Sequence, residues 1–111
     1  SFIDGKNWKL IQLENVSMDY DKAFITFDVK NNRVNGNAGC NNFFGGFSVK
    51  EDKISFSQLG MTRMACPNEK GDVENKVVKY LNAMDLRFDV ADQTLNIYQG
   101  DRLVLMFAIS Q

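Results

Sequence analysis

One stretch of this chain, from Gly36 to Pro67, holds the residues with the most chemical potential. It contains both cysteines, Cys40 and Cys66, and places Arg63 three residues before the second of them. A cysteine acts as a nucleophile in its thiolate form, which a histidine, a helix N-terminus or a nearby cation favours. The sequence has no histidine, so Ser-His-Asp and Cys-His nucleophiles are excluded within this chain.

The two cysteines admit three interpretations. In an oxidising compartment Cys40 and Cys66 can form a disulfide, whereas in a reducing one they are two small buried apolar side chains. Alternatively, Cys66 is a reactive thiol beside Arg63, just before a predicted helix. We favour the disulfide, which would close a loop of about 27 residues and stabilise the fold by roughly 3–4 kcal/mol.

Arg63 is the charged residue of most interest in this stretch. We expect its five donors to bond strand or loop carbonyls, and the alternative is a carboxylate of a ligand or partner. Asn41 and Asn42 are expected to form turns rather than to contact a ligand. The glycines are not followed by the lysine and helix of a phosphate-binding loop, so we interpret them as points where strands bend.

The composition indicates a single globular domain spanning residues 1–111. With 44% hydrophobic and 12% aromatic residues, the chain can bury a real core, and it is too short for two. The net charge is −1, and acidic and basic residues are interspersed along the chain. The sequence therefore predicts no basic surface of the kind that binds nucleic acid. No apolar run approaches the roughly 20 residues that span a bilayer. The chain begins at Ser1 without a visible signal peptide, so anchoring through a missing N-terminal lipoprotein signal stays open.

Hydrophobic alternation with a period of two predicts about eight short strands. Trp8 and Leu10 are expected to face the core, and Asn15 to Asp21 to form a polar connection. The strands are expected at 8–13, 23–29, 34–40, 43–49, 54–59, 86–90, 94–98 and 102–109.

One helix is expected at roughly 69–84, after the fifth strand, because apolar residues recur there at three- and four-residue steps. Its apolar face would consist of Val73, Val77, Tyr80, Leu81 and Met84. Its other faces would carry Glu74, Asn75, Lys76 and Lys79. The predicted fold class is therefore mainly β, an α+β domain with a curved antiparallel sheet or partly open barrel and one inserted helix.

Small side chains alternate along the strand that leads to Cys40, at Val34, Gly36 and Ala38. They leave room on that face, which neighbouring aromatic side chains or a ligand would fill. The next strand is expected to bend or bulge at the glycine pair 45–46.

The stretch from Gly36 to Cys66 resembles the signature of the META/HslJ-like domain family. The motif residues that carry this resemblance are Gly36, Gly39, Cys40, Asn41, Gly46, Thr62, Arg63, Met64 and Cys66. Trp8 and Leu10 near the start, and a helix followed by three strands, are also similar to that family. The resemblance covers nearly the whole chain.

The resemblance implies a secreted or lipid-anchored protein of the bacterial cell envelope, a class linked to heat shock and antibiotic tolerance. No enzymatic activity is established for such domains, so we expect no catalytic residue, cofactor or metal. The expected function is binding of a protein partner or an apolar, lipid-like ligand, with a candidate face made of Phe43, Phe44, Phe47 and Phe56. The alternative is a small enzyme or redox protein that uses a reactive cysteine near Arg63.

Overall fold

Nine β-strands and one α-helix are found in residues 2–18 and 22–110, the part of the chain that the structure, a computed structural model, describes. The strands before the helix are β1 (Trp8–Leu13), β2 (Val16–Ser17), β3 (Phe24–Asp28), β4 (Arg33–Asn37), β5 (Asn42–Lys50) and β6 (Lys53–Met61). The helix is α1 (Asn68–Leu81), and it is followed by β7 (Leu86–Ala91), β8 (Thr94–Gln99) and β9 (Arg102–Ile109).

The strands form one antiparallel sheet in the order β2-β1-β3-β4-β5-β6-β7-β8-β9, and β1 also pairs with β9, so the sheet closes on itself. The ring is uneven, because β6 and β7 share a single residue pair, Lys53 with Arg87. The chain leaves the sheet at this seam to form α1. The prediction of a mainly β fold with a curved antiparallel sheet and one inserted helix is confirmed.

The strand count differs from the prediction, since the helix follows the sixth strand and not the fifth. The additional strand, β2, begins at Val16 and pairs with Leu13 across Glu14 and Asn15. Both turn residues have positive φ, 53° and 67°, as a two-residue hairpin loop requires. No turn motif in the sequence indicates this hairpin, because a glutamate is uncommon in that conformation. The rest of the predicted polar connection, 19–21, lies outside the described residues.

The core face of β1 is as predicted, with Trp8 and Leu10 fully buried. The indole N–H of Trp8 donates a hydrogen bond of 3.1 Å to the Ile3 carbonyl, which satisfies the one polar group of that side chain. The room beside the small residues of β4 is taken by an aromatic ring. A Cβ added to Gly36 would lie 2.8 Å from Cζ of Phe43.

The helix departs from the prediction at two residues. It ends at Leu81 instead of 84, and Met84, expected on its apolar face, is 87% exposed beyond the C-terminus. Glu74, expected on a solvent face, is buried, with 9% of its surface exposed. The reason is its spacing, because it precedes Val77 and Leu81 by three and seven residues and therefore shares their face.

The expected irregularity near the glycine pair lies on the neighbouring strand. Phe44 pairs with Gly60 and Gly46 with Ser57, so β6 has one more residue than β5 between these pairs. Gln58, within that segment, has a φ of 53°, so the bulge is in β6. No helix in the described ranges, 2–18 and 22–110, has the length and apolar character needed to cross a membrane.

Candidate functional site

A disulfide joins Cys40 to Cys66, the pair that the sequence predicted, with 6.0 Å between the two Cα atoms. It connects the turn between β4 and β5 to the segment that leads into α1. Neither cysteine is free, so the bridged protein has no resting thiol that could act as a nucleophile.

Asn41 is the centre of the hydrogen bonding around this bridge and is 4% exposed. Its Oδ1 accepts from the Met64 N–H at 2.7 Å and from the Thr62 hydroxyl at 2.9 Å. Its Nδ2 donates to Glu74 Oε2 at 2.8 Å and to the Met64 carbonyl at 3.1 Å. Asn41 lies in the turn between β4 and β5, as predicted, and its side chain also joins that turn to the segment 62–64 and to α1, which the sequence did not indicate.

Glu74 of α1 completes this network from the helix side. Its Oε1 accepts hydrogen bonds from the backbone N–H groups of Asn41, at 2.5 Å, and Cys40, at 3.2 Å. Within the described part of the chain its carboxylate forms no ion pair with a lysine or arginine. Neutral N–H donors therefore hold a carboxylate that is largely removed from water.

The disulfide lies directly against this network. Glu74 Oε2 is 3.6 Å from Cys66 Sγ, and because the bridged sulfur has no proton, this is a contact and not a hydrogen bond. Asn41 Nδ2 also lies 3.2 Å from the same sulfur. The junction of the sheet and α1 thus contains one carboxylate, one side-chain amide and two sulfurs in close contact.

The glycines of the motif allow close backbone approach. Gly39 has a φ of 129°, and a Cβ added there would lie 3.1 Å from a methyl group of Val73 and 3.2 Å from the Glu74 backbone nitrogen. This position keeps the turn after β4 against α1. Gly46 is less constrained, since an added Cβ would first meet the hydroxyl of Ser57 at 3.0 Å.

Arg63 and Asn42 are both exposed. The expected hydrogen bonds from the Arg63 guanidinium to strand or loop carbonyls are not formed with any residue that the structure describes, so that prediction is wrong. Asn42, expected in a turn, is instead the first residue of β5, where its Oδ1 accepts a hydrogen bond of 3.0 Å from its partner on β4, Asn37. The side chain of Met64 is 61% exposed, although Asn41 holds its backbone.

The four phenylalanines predicted as a binding face are divided between two sides of the sheet. Phe43, Phe47 and Phe56 point into the core with at most 8% of their surface exposed, whereas Phe44 is 51% exposed and lies over Gly60. Alternation along β5 is the reason, because neighbouring side chains of a strand point to opposite faces. A single face of four rings is therefore not present.

Two of these rings line cavities. Phe43 borders a cavity of about 360 Å³ between the end of β6 and α1, which Leu59, Arg63 and Val78 also line. Phe47 borders a second cavity, of about 370 Å³, whose other apolar walls are Phe2, Ile3, Val29, Val49, Phe88 and Val90.

These features define a small antiparallel β-domain with one inserted helix. The disulfide and the buried hydrogen bond between Asn41 and Glu74 hold that helix against the sheet. The chain belongs to the META domain family, which matches residues 2–111. It is similar to a protein solved by NMR, with a TM-score of 0.77 and 21% identity over 97% of this chain and 92% of that chain. It is also similar to a protein from Burkholderia xenovorans solved by NMR, with a TM-score of 0.74 and 24% identity over 99% of this chain and 85% of that chain.

Both structural relatives show the fold alone at these identities. A search of curated proteins finds no match to this chain.

Proposed function

We propose that this META domain is a non-catalytic module of the bacterial cell envelope that binds an apolar ligand or a protein partner. The observation that carries the proposal is the cavity of about 370 Å³ at Phe47. Seven of its eight lining residues are apolar, and the eighth is Asn32. A site with this lining and no charged group favours an apolar molecule, and its volume falls in the range of small-molecule sites.

The setting of the cavity supports binding from outside. Phe2 and Val49, on its walls, are 49% and 41% exposed, so an apolar surface continues from the cavity to the protein exterior. An exposed apolar patch of this kind is typical of interaction sites. A protein partner would bury these two side chains, and a small ligand would fill the space behind them.

The disulfide supports the proposed cellular location. Disulfides persist in oxidising compartments such as the periplasm and the cell exterior. The proposal therefore places the protein in the periplasm, on the outer membrane as a lipoprotein or outside the cell. A role in stress or antibiotic tolerance is part of the same proposal and rests on the family resemblance.

The second candidate, a redox protein with a reactive cysteine near Arg63, requires the disulfide to be reduced first. One observation favours it: Cys66 is only partly buried and lies two residues before the first residue of α1, where a helix N-terminus favours a thiolate. A free-thiol assay on the native protein after treatment with a mild reductant separates the two candidates, because the binding module is expected to keep both sulfurs bridged and the redox protein to release them.

The binding proposal is tested by native mass spectrometry of the protein purified from its own host. We expect the wild type to retain an apolar molecule or a protein partner. Val49→Arg, which places a charge on the cavity wall, should lose it. Val16→Arg is the matched control, because Val16 is also an exposed valine, 64% exposed, but lies on β2 away from the cavity.

A wild-type protein that carries neither an apolar molecule nor a partner would overturn the proposal. Retention by Val49→Arg at the wild-type level would overturn the assignment to this cavity.

A further inference from the structure

Three side chains that could hold a metal ion meet beside α1, and they lie outside the apolar cavity at Phe47. We propose that, when its disulfide is reduced, the protein binds one zinc-type divalent ion through Cys40, Cys66 and Glu74. The inference does not depend on the proposed binding function, because it uses different residues.

The donor atoms already have a suitable separation. The sulfurs of Cys40 and Cys66 and a carboxylate oxygen of Glu74 all lie within 4.8 Å of one another. In tetrahedral zinc sites, with bonds of about 2.3 Å to sulfur and about 2.0 Å to oxygen, neighbouring donors are roughly 3.5 Å apart. Cys66 Sγ and Glu74 Oε2 are 3.6 Å apart. The two bonded sulfurs have to separate, and breaking the bond between them permits that.

Surrounding hydrogen bonds orient the carboxylate toward the sulfurs. The backbone N–H groups of Cys40 and Asn41 hold Glu74 Oε1, which leaves Oε2 facing Cys66. Asn41 Nδ2 donates to Oε2 and lies 3.2 Å from Cys66 Sγ, where it can also donate to a thiolate. Outer hydrogen bonds of this kind fix ligand orientation in metal sites. None of them requires the disulfide, so the arrangement is expected to persist after reduction.

Charge and ligand type identify the class of ion. Two thiolates and one carboxylate bring three negative charges together, and no lysine or arginine of the described residues forms an ion pair with Glu74. A divalent cation offsets this charge. Thiolate ligands select zinc-type ions over magnesium and calcium, which prefer oxygen. Met64 lines two cavities beside the donor atoms, one of which Glu74 also lines and the other Cys40. They leave space for a fourth ligand such as water.

The chemistry balances with a dithiol as reductant. The dithiol supplies two electrons and two protons, the sulfur–sulfur bond breaks, two thiols form and the dithiol becomes a disulfide. Binding of the ion then releases the thiol protons. The oxidised protein has no thiolate and is expected to bind no ion, so the redox state decides whether the site exists.

The experiment uses Co²⁺ as the spectroscopic probe under anaerobic conditions. The protein, residues 1–111, is reduced with dithiothreitol, desalted and titrated with Co²⁺, and the unreduced protein is titrated in parallel. We expect a thiolate-to-cobalt charge-transfer band that saturates at one ion per chain and disappears when Zn²⁺ is added. The unreduced protein should show no band.

Variants separate a three-ligand site from general thiol binding. Glu74→Gln should weaken Co²⁺ binding at least about tenfold, whereas Glu69→Gln, at an exposed position of the same helix, should bind as the wild type does. Because Glu74 also belongs to the core, Cys40→Ser provides a second variant that keeps the Asn41–Glu74 bonds. It should lose the band while circular dichroism shows native structure.

The absence of a band in reduced wild-type protein would overturn the proposal. Wild-type affinity in Glu74→Gln or in Cys40→Ser, or an equal band in the unreduced protein, would do the same.

Discussion

The side-chain amide of Asn41 donates a hydrogen bond of 2.8 Å to the buried carboxylate of Glu74. Asn41 lies in the turn between β4 and β5, and Glu74 lies 33 residues later in α1. The bond therefore joins the helix to the sheet beside the disulfide. Since both groups are removed from water, each depends on the other to satisfy its hydrogen-bonding capacity.

Replacement of Asn41 should be among the most destabilising polar substitutions. Asn41→Ala leaves Glu74 Oε2 and the Met64 N–H without their partner. Because unsatisfied buried groups cost free energy, we expect the free energy of unfolding to fall by about 3 kcal/mol. Urea denaturation followed by circular dichroism measures it.

The neighbouring asparagine is the control for that measurement. Asn42 is exposed, and its side chain accepts a hydrogen bond from Asn37 at the start of β5. Asn42→Ala should therefore lower the free energy of unfolding by less than about 1 kcal/mol. Equal losses in the two variants would show that the buried network does not stabilise the fold.

Loss of the disulfide should lower stability without releasing α1. The bridge spans 26 residues, so the double substitution Cys40→Ser with Cys66→Ser should cost about 3.5 kcal/mol in the chain-entropy model. The Asn41–Glu74 bond connects the same turn directly to α1 and survives the change. Amide chemical shifts of β8 and β9 should therefore stay native, and disappearance of the helical signal would contradict this expectation.

The sequence predicted the sheet because alternation is a local property of each strand. Trp8 and Leu10 are buried for that reason, and the disulfide follows from there being only two cysteines. Burial of Glu74 is different, because a carboxylate enters the core only where donors from Cys40 and Asn41 meet it. Those donors are more than 30 residues away in sequence, so a local sequence pattern does not indicate that the Glu74 carboxylate will have hydrogen-bond partners in the core.

The spacing of Glu74 with Val77 and Leu81 was nevertheless a usable signal. An acidic residue at a core-facing position of a helix is expected to have a specific partner. The cavities could not be predicted in this way, since the cavity beside Phe43 is lined by residues of β5, β6 and α1, whose relative placement is not contained in any local pattern.

Gly36 should tolerate no side chain, in contrast to Gly46. A Cβ at Gly36 would lie 2.1 Å from the backbone oxygen of Phe24, an atom that cannot move without breaking the pairing of β3 and β4. We expect Gly36→Ala to cost about 3 kcal/mol. Gly46→Ala would meet only the movable Ser57 hydroxyl at 3.0 Å and should cost less than about 1 kcal/mol. Thermal unfolding of both variants is the measurement, and the reverse ranking would contradict it.

Tyr80 and Glu14 should make stability depend on pH at both ends of the range. The Tyr80 hydroxyl donates to the Glu14 carboxylate, and Lys76 Nζ lies 3.0 Å from the other oxygen of that carboxylate. These two contacts, Tyr80 first, hold the pKa of Glu14 below its ordinary value of 4.5. The same hydrogen bond, together with burial, raises the pKa of Tyr80 above 10.0.

The sign of each effect follows from linkage. A lowered carboxyl pKa stabilises the fold fully above pH 4.5, and that contribution is lost as pH falls through the folded-state value of Glu14. A raised tyrosine pKa stabilises the fold fully below pH 10.0, and that contribution is lost as pH rises through the folded-state value of Tyr80. The stability difference between the wild type and Tyr80→Phe should therefore be largest near neutral pH and shrink toward both limits.

A double-substitution cycle with Glu14→Gln assigns the acidic limb to this pair, because glutamine accepts a hydrogen bond but does not titrate. In the Glu14→Gln background, the effect of Tyr80→Phe should no longer change between pH 7 and about pH 3. Urea denaturation of the four proteins across this range provides the comparison. The opposite outcome is a loss of unfolding free energy on Tyr80→Phe that varies with pH in the same way whether residue 14 is glutamate or glutamine. In that case another carboxylate causes the acidic limb, and the hydrogen bond between Tyr80 and Glu14 does not contribute to it.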